Sequence, residues 1–183
     1  MRKLLPAALA AGLCLAAVGG AAARLQDAGA RARELAAYFN KDKRKVKEKR
    51  GVRLEVFLEV RGEPAPRADA ALYSGAYESE PDFPLELRVA SDGTAEGRGA
   101  EPTRGGSRSF TLRGARVSGA LLTGTKVYED GGTERIEGVF IDRTERHAPG
   151  EAGTTTFGLG VVFDPPKTGE GFAVTRLFYE RKR

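Results

Sequence analysis

Few residues in this chain have the chemistry to react, and the first to weigh is its single histidine, His147. It stands in "RTERHAPGEAG", close to Asp142 and Glu145. A histidine beside carboxylates can act as a general base or as one ligand of a metal. No second histidine is present, and the lone cysteine, Cys14, sits near the N-terminus, so zinc would need three carboxylates. No Gly-x-Ser-x-Gly elbow, His-Glu-x-x-His, Walker loop or helix-opening Gly-x-Gly-x-x-Gly occurs. His147 therefore reads as a solvated loop residue. The sequence assigns no catalytic residue, no metal and no cofactor, and the expected function is not that of an enzyme.

Two shorter stretches, Ser91-Asp92-Gly93 and Lys167-Thr168-Gly169, match elements of penicillin-binding enzymes, but the required Ser-x-x-Lys does not precede Ser91. They read as a hairpin turn and a loop. Binding chemistry is better represented. "KDKRKVKEKR", residues 41–50, holds seven cations against two acids. Lys43, Arg44, Lys45, Lys47, Lys49 and Arg50 are candidates for contact with an anionic lipid or envelope polymer. Nucleic acid is not expected, because the run has no interleaved aromatics for base stacking. The same run would also suit a helix C-terminus, where cations favour the dipole. A second candidate set is aromatic. Tyr77, Phe110, Phe140, Phe157 and Phe178 fall on strand-like segments and are expected in a barrel interior, as packed core or as the lining of a small apolar ligand site.

The elements that position these residues follow from periodicity. Leu25, Ala28, Ala32, Leu35, Ala36 and Phe39 recur at spacings of three and four, which predicts an amphipathic helix from residue 24. The rhythm can be carried on through Val46, with Gly51 as the stop, giving a basic helical segment over 24–51. After Gly51 the period becomes two: Val52, Leu54, Val56, Leu58 and Val60 alternate with polar residues. "LYSGAYESE", "PLELRVA" and a three-strand meander with turns at Asp92-Gly93 and Asp130-Gly131-Gly132 continue the pattern. About nine antiparallel strands are expected over 52–183. Gly75, Gly97, Gly114, Gly119, Gly124, Gly138, Gly158 and Gly160 are placed inside strands, which favours a strongly curved sheet closed into a small up-and-down barrel.

The export-type opening, the Asp-Gly meander and Gly75-Ala76-Tyr77, which is similar to a Gly-x-Trp opening, resemble the lipocalin-type barrels of the calycin group. That resemblance implies an exported up-and-down barrel with a helix beside it and a pocket for a small apolar ligand. The chain departs from the group in having no Trp, no possible disulfide and a helix ahead of the strands. No binding residue transfers.

The N-terminus fixes the expected location. Arg2 and Lys3 precede an apolar stretch, and Ala21-Ala22-Ala23 offers small residues for cleavage, the layout of a secretory signal over 1–23. The alternative is an uncleaved anchor, since Leu4 to Ala23 carries no charge. Leu13 before Cys14 does not fit a lipobox. Cleavage removes the cysteine and lowers the net charge from +5 to +3. The expectation is an exported, periplasmic or extracellular binding protein, not transmembrane once cleaved. The alternative function is an envelope interaction or structural role through the basic segment.

Overall fold

Alternation of apolar and polar residues runs through most of the strands, and the described residues form ten strands after one helix. The computed structural model describes residues 27–49, 51–79, 83–103, 106–169 and 172–183. Helix α1 covers 27–37. The strands are β1 (Lys41–Lys49), β2 (Val52–Pro64), β3 (Gly75–Ser79), β4 (Phe83–Val89), β5 (Thr94–Thr103), β6 (Gly106–Ser118), β7 (Leu121–Tyr128), β8 (Thr133–Arg146), β9 (Thr154–Gly169) and β10 (Phe172–Arg181). Strands β3 to β10 pair with their sequence neighbours, and β10 returns to β3. The result is a closed antiparallel eight-stranded barrel, the up-and-down architecture expected from the meander and the strand glycines. Closure leaves no barrel edge.

The two extra strands correct the expected helix over 24–51. The basic run is not helical: it forms β1, paired along its whole length with β2 from Lys41↔Val60 to Lys49↔Val52. Lys, Arg and Glu are strong helix formers, and a run of charges lacks the apolar period that would separate 3.6 from 2. The alternating β2 partner decides the outcome. Gly51, at φ 75°, is the hairpin turn and not a helix stop. The helix itself ends at residue 37, fourteen residues before Gly51. Its last bonds tighten to Phe39 N–H donating to Ala36 O at 3.0 Å and Asn40 N–H to Ala37 O at 3.1 Å. The Asn40 side chain then accepts from Gly62 N–H at 2.9 Å, tying the helix end to β2.

Strand parity sorts the barrel wall. On β4, Phe83, Leu85, Leu87 and Val89 are buried inside, while Pro84, Glu86 and Arg88 are exposed. Outward positions on the following strands carry Glu96, Arg98, Arg113 and Arg116. Charges outside and apolar residues inside are the reverse of a lipid-facing barrel. Among the described residues, no helix is long and apolar enough to cross a membrane.

Helix α1 lies against the outer wall. It buries Ala28, Ala32, Leu35, Ala36 and Phe39, while Arg33 and Glu34 stay exposed. Its seat needs a glycine: a Cβ on Gly160 would lie 2.5 Å from the Phe39 ring. One barrel end is closed by the β2–β3 connection. Asp69 caps a short 3-10 turn over Ala70–Tyr73, and the fully buried Tyr73 ring stacks on Phe140 with centroids 4.1 Å apart. Two local expectations change. Gly119 lies in the β6–β7 turn at φ 60°, not inside a strand. Lys167-Thr168-Gly169 ends β9 and is not a loop.

Candidate functional site

The β1–β2 hairpin is the most unusual surface of the molecule. Only residues 59–64 of β2 pair with β8, so the remainder of the hairpin stands clear of the barrel with β1 as a free edge. Directly paired residues share a face. One face carries Asp42, Arg44 and Val46 opposite Glu59, Phe57 and Glu55. Its charges are answered locally: Arg61 binds Glu59 at 2.9 Å, Arg53 binds Glu55 at 3.1 Å and Arg146 binds Glu59 at 3.1 Å. The Arg44 guanidinium sits 5.2 Å from the Phe57 ring centre and 3.8 Å from Asp42.

The other face is different. Lys41, Lys43 and Lys45 are exposed and form no ion pair with any described residue. Their register partners are Val60, Leu58 and Val56, and Val52 follows along the same face. Val52 is 56% exposed and Val56 39%. One ribbon face thus sets unpaired ammonium groups beside the exposed Val52 and Val56, while Val60 at its root is buried. Of the six cations expected to meet an anionic surface, Lys43 and Lys45 lie on this face, and Arg44 lies on the ion-paired one. Lys47 and Lys49 hold β1 register positions opposite Leu54 and Val52; Arg50 falls outside the described residues.

The aromatic set is divided. Tyr77 and Phe140 are buried inside the barrel, and Phe157, partly buried, stacks on Phe140 at 6.1 Å. Phe110 is buried in the barrel against Tyr128, centroids 6.3 Å apart. The Tyr77 hydroxyl donates to Tyr73 O at 2.5 Å, and burial pushes its phenol up to about 12, partly offset by Arg181. Phe178 is the correction. Its neighbours Leu177 and Tyr179 point inward, whereas Phe178 lies on the outer wall, 6.3 Å from Phe39 just past the end of α1. A register irregularity between Val174 and Arg176 defeats parity counted along β10. His147 is exposed just past β8, with its ring 3.9 Å from Glu145.

Near the opposite end from Tyr73, the barrel holds a charged network that strand periodicity did not single out. Lys126 and Glu101 are 3% and 1% exposed and form an ion pair. The Tyr128 hydroxyl lies 2.6 Å from Glu101 and 2.7 Å from Glu134. Lys167, on β9, binds Glu134 and reaches Glu101 at 3.3 Å. Burial opposes the Glu134 charge, but hydrogen bonds from Lys167 and Tyr128 outweigh it and hold the carboxyl below its ordinary range. Burial also pushes the Tyr128 phenol up, and both carboxylates push it further. The network spans a split in the wall. The β8–β9 ladder runs only from Gly138↔Val161 to Glu145↔Thr154, leaving 133–137 of β8 unpaired with β9. A cleft of about 330 Å³ opens there beneath α1, with Leu35, Ile136, Val161 and Phe163 on its walls and Lys126 and Glu134 at depth. A signal for Lys126 existed in the sequence, since it shares parity with the inward Leu122 and Tyr128.

The chain matches no protein-family model, and no curated protein or solved structure is significantly similar to it.

Proposed function

We propose that this is an exported, non-catalytic binding protein that docks on an anionic lipid surface of the cell envelope through the lysine face of its β1–β2 hairpin. The observation that carries this reading is the cross-strand register that sets Lys41, Lys43 and Lys45 on one face with the exposed Val52 and Val56. Lysines on a free edge strand also discourage edge-to-edge pairing. That role alone would not leave Val52 and Val56 uncovered, and a polyanionic polymer would have no use for them. A bilayer interface uses both features: aliphatic side chains enter the headgroup boundary, and each ammonium near an anionic surface contributes about 1 kcal/mol, screened by salt.

The test is sedimentation of the natively processed protein with vesicles of phosphatidylglycerol and phosphatidylcholine. Binding should weaken steeply with salt, fail on phosphatidylcholine alone and fall at least tenfold on Lys43→Glu with Lys45→Glu. Equal binding by wild type and variant, or binding only to nucleic acid, would overturn the reading.

The cleft at the β8–β9 split supports a second reading, closer to the apolar ligand implied by the lipocalin-like architecture. Such a ligand would rest on Leu35, Ile136 and Phe163 beneath α1, because the axial aromatics Tyr77 and Phe140 pack against each other. Organic extraction and mass spectrometry of the purified protein should then recover a stoichiometric small molecule; an empty extract sinks it.

A further inference from the structure

The ladder between β8 and β9 stops at Gly138↔Val161. Continued in register, it would set Pro165 and Pro166 of β9 opposite Glu134 and Thr133. Neither proline has an N–H to donate, so the two strands part there. The cleft beneath α1 is this gap. Side chains alternate across a strand, so a cleft on one face of a sheet meets every second residue. This one is lined by consecutive residues, Glu134 to Glu137 on one side and Val161 to Phe163 on the other. It therefore passes through the wall, from Arg135 and Glu137 outside to the buried Lys126, Ile136 and Phe163. Arg31, Glu34 and Leu35 of α1 lie across its mouth.

The two ends of α1 are held unequally. At the C-terminal end, Ala36 and the following Phe39 sit in notches left by two glycines. A Cβ on Gly160 would lie 2.5 Å from the Phe39 ring, and one on Gly62 would lie 3.3 Å from the Ala36 carbonyl oxygen. Arg176 donates to Tyr38 O, and the Asn40 side chain accepts from Gly62 N–H at 2.9 Å. The chain then enters β1, paired along its whole length with β2. Toward the N-terminal end the seat is made by Ala28 and Ala32, whose methyl groups bury little surface. There the only polar tie from residues 27–37 to the wall, among the described residues, is Arg31 on Glu137. Those side chains are 39% and 25% exposed, so salt weakens the tie. A helix this short, with Gly29 in its first turn, has little stability of its own.

We propose that α1 is a hinged lid on a side entrance to the barrel. Phe39 to Lys41 form the hinge, Arg31 on Glu137 is the latch, and the gap between β8 and β9 is the passage. For its cargo the proposal rests on the second reading above, an apolar ligand in this cleft, and it adds how that ligand enters and leaves. With the lid raised, Ile136 and Phe163 are reached from outside. With it lowered, Leu35 closes over them and shuts water out. Opening lifts a few alanines and one screened ion pair and leaves the barrel ladders intact, so it is a local event. Weakening the latch speeds passage in both directions and does not loosen the barrel.

Hydrogen–deuterium exchange on the natively processed protein reads the lid without any ligand. Amides of residues 32–37 should exchange roughly tenfold faster than those of β4 and β6. Arg31→Ala should speed them about threefold more and leave β4 and β6 unchanged. Raising salt from about 0.05 M to about 0.5 M should speed the wild type and not the variant. Exchange of α1 only at the rate of β4 and β6 overturns the lid. An α1 that opens alone but ignores both Arg31→Ala and salt overturns the latch. Stopped-flow entry of the uncharged dye N-phenyl-1-naphthylamine reads the passage. Entry and exit should both be about threefold faster in Arg31→Ala. Dye that binds with rates untouched by Arg31→Ala overturns the side entrance and leaves the ligand reading standing. An α1 that opens as expected in a protein that binds no dye keeps the lid and overturns the ligand reading.

Discussion

Two parts of this chain use the same residue types on β-strands and reach opposite outcomes. In β7, Lys126 sits on the inward row between Gly124 and Tyr128, and its ammonium is buried against Glu101. In β1, Lys41, Lys43 and Lys45 alternate just as regularly and stay in water, with Val56 and Val52 exposed beside them. The difference is closure. Where eight strands complete a ring, every inward charge must find a partner, because desolvation is otherwise uncompensated. Where two strands leave the ring, one face keeps its ion pairs, and on the other neither the lysines nor the exposed valines are matched within the described residues. Satisfied charges read as structure, and unmatched ones read as an interface.

The comparison breaks most visibly if Lys126 is truncated. Lys126→Ala removes the buried ammonium paired with Glu101 and leaves that carboxylate only Lys167 at 3.3 Å and the Tyr128 hydroxyl, and should cost about 3 kcal/mol in urea unfolding. Replacing the pair together, Lys126→Met with Glu101→Gln, should cost clearly less, since no buried charge is left alone. If single and double variants lose the same stability, the network is not held by charge compensation.

Tyr128→Phe is next, at about 1–2 kcal/mol, because the phenol serves both Glu101 and Glu134. It should also change the pH profile. Glu134 is held below its ordinary 4.5 in the fold, so its contribution is present above that value and fades as pH falls through the lower folded one. Lys167 is the mirror case. Burial opposes its charge, yet Glu134 and Glu101 raise it above 10.5, so its contribution is present below 10.5 and fades as pH rises through the folded value. Stability should therefore hold between those limits and decline outside them. Removing the Tyr128 hydroxyl should move the acid limb upward, toward 4.5. An unmoved limb would exclude Glu134 as its source.

These sites were unequally legible in the sequence. The barrel was readable because Val52–Val60 and Leu85–Val89 alternate cleanly and Asp92-Gly93 and Asp130-Gly131-Gly132 punctuate them. The hairpin was half readable: β2 announced itself, while β1 has no apolar row of its own and takes its conformation from a partner. The network was least readable. Glu101, Glu134 and Lys167 come from three strands, and strand charges ordinarily mark the solvent face. Only the three-dimensional closure that brings β9 across the wall split joins them. Phe178 shows the same limit, since one irregularity in β10 exchanges inside for outside.

A smaller effect tests the α1 seat. Arg31 bonds Glu137 at 2.6 Å and Glu34 at 2.7 Å, which holds the Glu137 carboxyl below its ordinary range. The pair is partly exposed, so Arg31→Ala should cost under about 1 kcal/mol and shrink further with salt. A loss several times larger would mean that the pair anchors α1 and that Phe39 over Gly160 does not.

The smallest effect on stability is the one that gives the hairpin its meaning. Lys43→Glu with Lys45→Glu should change unfolding by no more than about 0.5 kcal/mol, because neither lysine touches a described partner. The same substitutions remove about 2 kcal/mol of attraction to an anionic bilayer before the added repulsion is counted. A residue pair that matters for binding and not for folding is what an interface requires, and Lys126 should behave in the opposite way. Should the two hairpin lysines destabilise the fold as Lys126 does, β1 belongs to the barrel's own balance of charge, and its exposed face is no longer evidence of a partner.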